Sequence, residues 1–167
     1  MDERLSMIFA RRSIREYAER AVGDSEVKSL LEAAMAAPSA NDRQPWRFVV
    51  VRNRPTLKKL ADMHPYAKML SSAALAVAVC GDPAISDWWT QDCFAATENL
   101  LIAAAGLGLG AVWIGCLGRP ERERAVRICL EIPETIGVAS LISVGYPAEK
   151  KAARTQYDDR KIHADRW

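Results

Sequence analysis

Arg11, Arg12, Ser13 and Arg15 fall within five consecutive residues, where a short amphipathic run gives way to polar sequence. Guanidinium groups make charge-assisted, bidentate hydrogen bonds to phosphate, and a hydroxyl or backbone N–H completes the oxygen shell. The same cluster also suits a solvated basic helix end that complements the helix dipole. Gly115, inside the apolar segment VWIGCL, marks either a bulge or a close approach of backbone to a flat ligand. Gly106, Gly108 and Gly110 form a G-x-G-x-G run. It follows a helical stretch rather than a strand and lacks GxGxxG spacing, so it reads as a helix terminus and not as a dinucleotide-binding turn.

Other catalytic constellations are missing from the sequence. It has no GxSxG elbow, no Walker motif and no HExxH, and His64 and His163 stand apart from any cysteine cluster. Cys80, Cys93, Cys116 and Cys129 lie in apolar surroundings without a CxxC pair, which predicts buried, reduced thiols and no metal site.

The elements that must position these residues follow from periodicity. Leu5, Ile8 and Phe9 predict a short helix over 3–10 that runs into the arginine cluster. Asp24 or Ser25 caps a second helix through Val27, Leu30, Leu31, Ala34 and Met35, ended by Pro38. Residues 38–46, PSANDRQPW, form a turn-rich loop before a strand at Phe48–Val51. Pro55 starts a helix through Leu60, and Leu75–Cys80 reads as a buried strand. A long helix from Trp88 is closed by Gly106, Gly108 and Gly110, and its apolar stretch Leu100–Ala105 is expected to be enclosed on all sides, with help from another subunit. Val112–Leu117 is extended, Pro120 opens an Arg/Glu-rich helix to Leu130, and Val138–Val144 is a further strand. A polar tail from Ala148 ends in KIHADRW, which is expected to pack against something.

Size and charge agree with a globular reading. The 167 residues suit a single domain over 1–167, and half of them are hydrophobic. With 23 Lys and Arg against 21 Asp and Glu, interspersed in sign, nothing favours nucleic acid as a partner. The longest apolar stretch, Leu100–Leu117, is broken by four glycines and is a poor membrane span. The start MDERLSMIFARRS has acids where an export signal needs a basic region and then an apolar run, so a soluble cytoplasmic protein is expected.

Taken together, RRSIREY (11–17), APSANDRQPWRFVVV (37–51), the helix into GLGLGAVWIG (106–115), SVGYP (143–147) and the closing RTQYDDRKIHADRW resemble the nitroreductase family of FMN-dependent oxidoreductases along essentially the whole chain. The resemblance implies an α+β fold: a three-layer α/β/α sandwich with a central mixed, mainly antiparallel sheet, in an intertwined homodimer with FMN at the subunit interface. It implies that Arg11, Arg12 and Ser13 hold the phosphate or ribityl end and that Arg15 reaches the polar pyrimidine edge of the ring. A cation there stabilises the negative charge left by two-electron reduction.

By the same resemblance, Pro38, Ser39, Ala40, Asn41 and Gln44 come to the cofactor from the partner subunit. Asp42 stands where the family pattern has asparagine, and it is expected to point away from the ring. Val112, Trp113, Ile114 and Gly115 lie along the ring, with the N–H of Ile114 or Gly115 directed at flavin N5. Arg154 contacts the phosphate, while Gln156 replaces a second basic residue, a place Arg160 or Lys161 would take over. The implied activity is oxidation of NAD(P)H and two-stage transfer of electrons to a nitroaromatic, quinone or related small-molecule acceptor. A specialised reaction such as reductive dehalogenation, or a flavin carrier or sensor without turnover, is the alternative. Acceptor specificity is expected within residues 62–72, with His64, Tyr66 and Met69, and around Trp88 and Trp89, with core packing the equal alternative for Met69 and Trp88. Lys150 and Lys151 are expected to be solvated surface.

Overall fold

The computed structural model describes residues 2–167. Helix α1 (Ser6–Ala10) follows a single 3₁₀ turn, and α2 (Asp24–Met35) begins where the Glu26 carboxylate accepts the Gly23 N–H at 2.7 Å. Asp24 and Glu26 in that first turn also complement the helix dipole. Strand β1 (Trp46–Val51) leads into α3 (Arg54–Met63), which is capped by Asn53 Oδ1 accepting from the Thr56 N–H at 3.0 Å. Then come β2 (Leu75–Gly81), the long α4 (Trp89–Gly106), β3 (Gly110–Gly115), α5 (Pro120–Leu130) and β4 (Gly137–Gly145). These are the helices and strands that periodicity predicts, with ends shifted by up to three residues.

The sheet order is β1-β2-β4-β3, and every pairing between these strands is antiparallel. Its parallel component is a single bridge between Ser13 and Ala111. One face packs on α2 and α4 through Leu30, Ala34, Val77, Leu100, Ala104 and Ile142, and the other on α3 and α5 through Leu57, Leu60, Ala78, Val126 and Leu141. The two helical layers around one sheet are the expected α+β sandwich. Among the described residues no helix is long and apolar enough to cross a membrane.

A bulge interrupts the regular alternation. Val79 pairs with Ser140 and Cys80 with Val138, which leaves Ala139 as the extra residue in β4. Ala139 and Ser140 consequently both face α4, where Ser140 Oγ meets Thr97 Oγ1 at 2.9 Å.

The apolar stretch of α4 is enclosed on one side only. Leu100, Leu101 and Ala104 are buried, whereas Ile102, Ala103 and Ala105 are half-buried. Leu5, Met7 and Ile8 around α1 are exposed, and so are Tyr157, Ile162 and Trp167 of the tail, so KIHADRW packs against no element of this chain's core.

At the start of α4, the Trp89 indole lies flat against two backbones. A Cβ on Gly137 would come within 2.2 Å of its ring and one on Gly81 within 2.4 Å. Gly137→Ala is therefore expected to destabilise the fold by about 1–3 kcal/mol through overpacking. A lowered thermal midpoint would show it, whereas an unchanged midpoint would mean that Trp89 is free to move aside.

Candidate functional site

The site is built on an edge strand. The Ile14 N–H donates to the Ala111 carbonyl at 3.0 Å, on the side of β3 away from β4. Peptide groups alternate along a strand, so Ala111, Trp113 and Gly115 present N–H and C=O outward, while Val112 and Ile114 turn theirs toward β4. Of the two N–H groups expected at this position, that of Gly115 is the one at the open edge. A Cβ on Gly115 would meet nothing within 4 Å. The glycine thus leaves a gap beside its peptide rather than relieving a bulge.

That gap opens on a cavity of about 480 Å³. One wall is β3, with Val112, Trp113, Ile114 and Gly115, and the other is the loop after α3, with His64, Pro65, Tyr66, Lys68 and Met69. Arg15 and Arg122 complete the lining. Trp113 and Ile114 reach it from opposite faces of the strand, since the Trp113 ring packs on Phe94 at 5.2 Å between centroids while Ile114 joins the α3/α5 core.

His64 fixes the second wall. Its Nδ1 accepts the Tyr66 N–H at 3.2 Å, which leaves the proton on Nε2, 3.4 Å from the Gly115 carbonyl oxygen. Burial keeps the imidazole below its ordinary pKa, so it stays a neutral donor to the strand edge.

The arginine cluster is anchored by its closing tyrosine. The Tyr17 hydroxyl lies 2.5 Å from Ser143 Oγ and donates to the Ile14 carbonyl at 2.7 Å, and burial pushes its pKa up to about 12. The Ala18 N–H continues along the sheet end to the Tyr146 carbonyl at 2.8 Å. Arg15 thereby lines the cavity with its side chain while its N–H donates to Glu149 Oε1 at 2.6 Å. Arg11 Nε pairs with Glu98 on α4 at 3.2 Å, and the Arg12 guanidinium donates to the Ala152 carbonyl. The tail returns along α1, where the Arg154 N–H bonds the Phe9 carbonyl at 3.0 Å, which brings Arg154 beside the cluster.

Some residues lie elsewhere than expected. Lys151 is not solvated surface: its ammonium sits 2.9 Å from Glu149 and donates to the Ser13 carbonyl at 2.6 Å. Trp89 belongs to the core against Gly81 and Gly137, and Trp88 is exposed, so neither lines this cavity. Arg160 pairs with Asp158 at 2.9 Å and is exposed, without reaching the cluster. Lys68 and Arg122 were not singled out in the sequence. Arg122 occurs in the run ERER, where charge alone does not reveal which side chain turns inward.

Residues 38–44 form a separate part of the surface. The Asp92 carboxylate, in the first turn of α4, accepts the Ala40 N–H at 3.0 Å, and Ser39 Oγ accepts the Gln44 N–H at 3.1 Å. Asn41, Asp42 and Gln44 all have left-handed backbone, with φ of 52°, 54° and 48°. Such conformations cost of order 1–3 kcal/mol each and persist only where the surroundings enforce them. Asp42 turns to its own loop, accepting from Gln44 Nε2 at 2.8 Å. This loop feeds β1, the strand at the opposite edge of the sheet from β3, and none of it lines the β3 cavity.

The cysteines are chemically quiet. All four are free, and burial pushes Cys80 up to about 11 and Cys93 and Cys116 up to about 12, far from thiolate formation at neutral pH.

Known proteins share this arrangement. The sequence model described as the nitroreductase family matches residues 8–78 and 66–146. A provisionally named NADH dehydrogenase/NAD(P)H nitroreductase of Archaeoglobus fulgidus is 47% identical over 174 residues, covering 100% of both chains. The crystal structure of a protein of the same provisional name from Bacteroides thetaiotaomicron superposes with a TM-score of 0.97 at 42% identity, over 100% of this chain and 99% of that one. A provisionally named nitroreductase from Desulfovibrio desulfuricans, solved in complex with FMN, gives a TM-score of 0.85 at 30% identity, over 100% and 99% of the two chains. With the matched segments spanning the arginine cluster, the 38–44 loop and the β3 edge alike, the chain belongs to the nitroreductase family.

Proposed function

We propose that the protein is an FMN-dependent NAD(P)H oxidoreductase acting as a homodimer, in which the β3 edge and arginine cluster of one copy meet residues 38–44 of the other. The carrying observation is Gly115: an outward N–H at an open strand edge, bare of any atom within 4 Å of a Cβ, on a cavity flanked by cations. A flat cofactor with a hydrogen-bonding edge and a phosphate tail suits that gap and the nearby Arg11, Arg12, Ser13 and Arg154. When bound, FMN supplies a two-electron carrier, so oxidation of the nicotinamide and reduction of an acceptor are separated in time.

The chain's own residues then have defined tasks. The Gly115 N–H, with that of Trp113 on the same edge, would donate to a hydrogen-bonding edge of the ring and so hold it against the strand. Arg15 and Lys68 bring positive charge to the cavity, where it stabilises negative charge on a bound ring. His64, held neutral, keeps the Gly115 carbonyl engaged and the loop of residues 64–69 in place. No side chain need act as acid or base, since protons can enter from solvent.

Two features support the second copy. The apolar side chains of Leu5, Met7, Ile8 and Trp167 are exposed, and the flank of α4 at Ile102, Ala103 and Ala105 is incompletely covered. The loop of residues 38–44 is held in a strained shape and lines no part of the β3 cavity of its own chain. Nitroaromatics and quinones are the acceptors proposed, in two-stage turnover. Four reduced thiols suit a cytoplasmic location.

Three measurements test this reading. Purified protein loaded with FMN is expected to show a flavin spectrum that bleaches anaerobically with NADH or NADPH. Persistence of the colour would favour a carrier or sensor, and failure to bind FMN would return the arginines to surface charge. Arg11→Ala should weaken FMN binding by about 1.5–3 kcal/mol, roughly tenfold or more, as read by equilibrium titration. Gly115→Val is expected to keep its thermal midpoint, with a stability change within about 0.5 kcal/mol, and to lose FMN affinity. Normal FMN affinity in that variant would remove Gly115 from the cofactor site.

A further inference from the structure

The cavity beside β3 has an unusual balance of charge. Among its lining residues are Arg15, Lys68 and Arg122, and none is Asp or Glu. Among the described residues no carboxylate comes within 4.0 Å of the Arg15 guanidinium or the Lys68 ammonium, both of which the oxidoreductase reading commits to the cofactor. Arg122 has no such assignment. It projects from the first turn of α5 onto the cavity wall, and its side chain is only 21% exposed.

Its own surroundings leave Arg122 short of partners. Nε is buried and makes no hydrogen bond. The one neighbouring carboxylate, Glu121, lies at 4.0 Å, beyond hydrogen-bonding distance, and is 70% exposed to water. The nearby imidazole, His64, is neutral, and both of its ring nitrogens are already engaged. The terminal N–H groups of Arg122 also have no acceptor among the described residues, and a half-buried guanidinium so placed gains most from a ligand that brings one.

The guanidinium is nevertheless fixed in place. Its central carbon stands 4.7 Å from the centroid of the Tyr66 ring, and Tyr66 meets the His64 ring edge-on at 6.5 Å. Stacking holds the guanidinium through its face, so the in-plane N–H groups that pair with two oxygens remain available. Next to it, Pro65, Met69 and Ile114 offer apolar surface to the body of a ligand.

We propose that Arg122 is the receptor for an oxyanion on a molecule that visits this cavity, and that the site thereby selects an acceptor carrying a carboxylate. The inference rests on the oxidoreductase reading. The same chemistry would serve a phosphate of the nicotinamide donor, and the test separates the two sources. The terminal nitrogens, which the buried Nε holds against the wall, offer the end-on pair that matches a carboxylate, and partial burial makes its loss costly for a neutral analogue.

The test uses the FMN-loaded protein and Arg122→Gln and Arg122→Lys, each first confirmed as folded by its thermal midpoint. Binding of benzoate and of benzyl alcohol is measured by ligand-observed NMR, which does not depend on turnover. Steady-state KM values are then compared for 4-nitrobenzoate against 4-nitrobenzyl alcohol, and for NADPH against NADH. The wild type is expected to favour the carboxylate over its neutral analogue by about tenfold or more. That preference should collapse toward unity in Arg122→Gln and be partly restored in Arg122→Lys, which keeps the charge but not the bidentate fork. Collapse of the NADPH preference with the acceptor preference intact would place the oxyanion on the donor and overturn the carboxylate assignment. Equal binding of benzoate and benzyl alcohol by the wild type with no preference between NADPH and NADH, or undiminished preferences for both the carboxylate and NADPH in Arg122→Gln, would overturn the receptor itself. Absence of turnover with both acceptors alongside selective benzoate binding would instead defeat the oxidoreductase reading and leave the receptor standing.

Discussion

An edge strand has a row of peptide groups with no strand to bond them, and β3 deals with this unevenly. Its first outward carbonyl, at Ala111, is taken by Ile14, and its last, at Gly115, is faced by His64. Between and beside these lie outward N–H groups with no neighbour from the sheet. The position of the arginine cluster follows from the first contact, because Ile14 lies between Ser13 and Arg15. The position of the loop of residues 64–69 follows from the second. The cavity is what remains between two segments that both reach for the same strand edge.

Much of the fold was legible because its signals are local. Pro55 and Pro120 mark helix starts, Leu75–Cys80 has the continuous apolar run of a doubly covered strand, and the glycines after Ala105 mark the end of α4. The register was not legible. The bulge that turns both Ala139 and Ser140 toward α4 depends on the pairing of β2 with β4, and pairing across 60 residues leaves no trace in either strand alone. Site residues divide in the same way. Arg15 and Gly115 were found because a cluster and a misplaced glycine are visible in one dimension. Arg122 and Lys68 were missed because a charge among other charges becomes informative only when the fold turns it inward. Trp89 was misassigned for the converse reason, since an aromatic residue near a helix start looks the same whether it faces a ligand or two glycines.

The two groups of site residues lie at opposite edges of one sheet, about three strand spacings apart, or roughly 14 Å. Residues 38–44 are nonetheless tightly specified, with Asp92 reaching across from α4 to hold Ala40 and three left-handed residues, Asn41, Asp42 and Gln44, following it. A loop that only connected α2 to β1 would not need such restraint. The exposed apolar side chains around α1 and the tail are the other feature that the proposed homodimer would account for.

The contact of Trp89 with Gly81 and Gly137 carries a consequence for how this sequence can drift. The two glycines lie at the ends of different strands and pair directly with each other, and one indole covers both. Any side chain gained at either glycine demands a smaller residue at position 89, while a smaller residue at 89 opens a void that only larger residues at both glycines would fill. The three positions therefore form one epistatic unit: single steps are disfavoured in either direction, and the trio changes together or stays as it is.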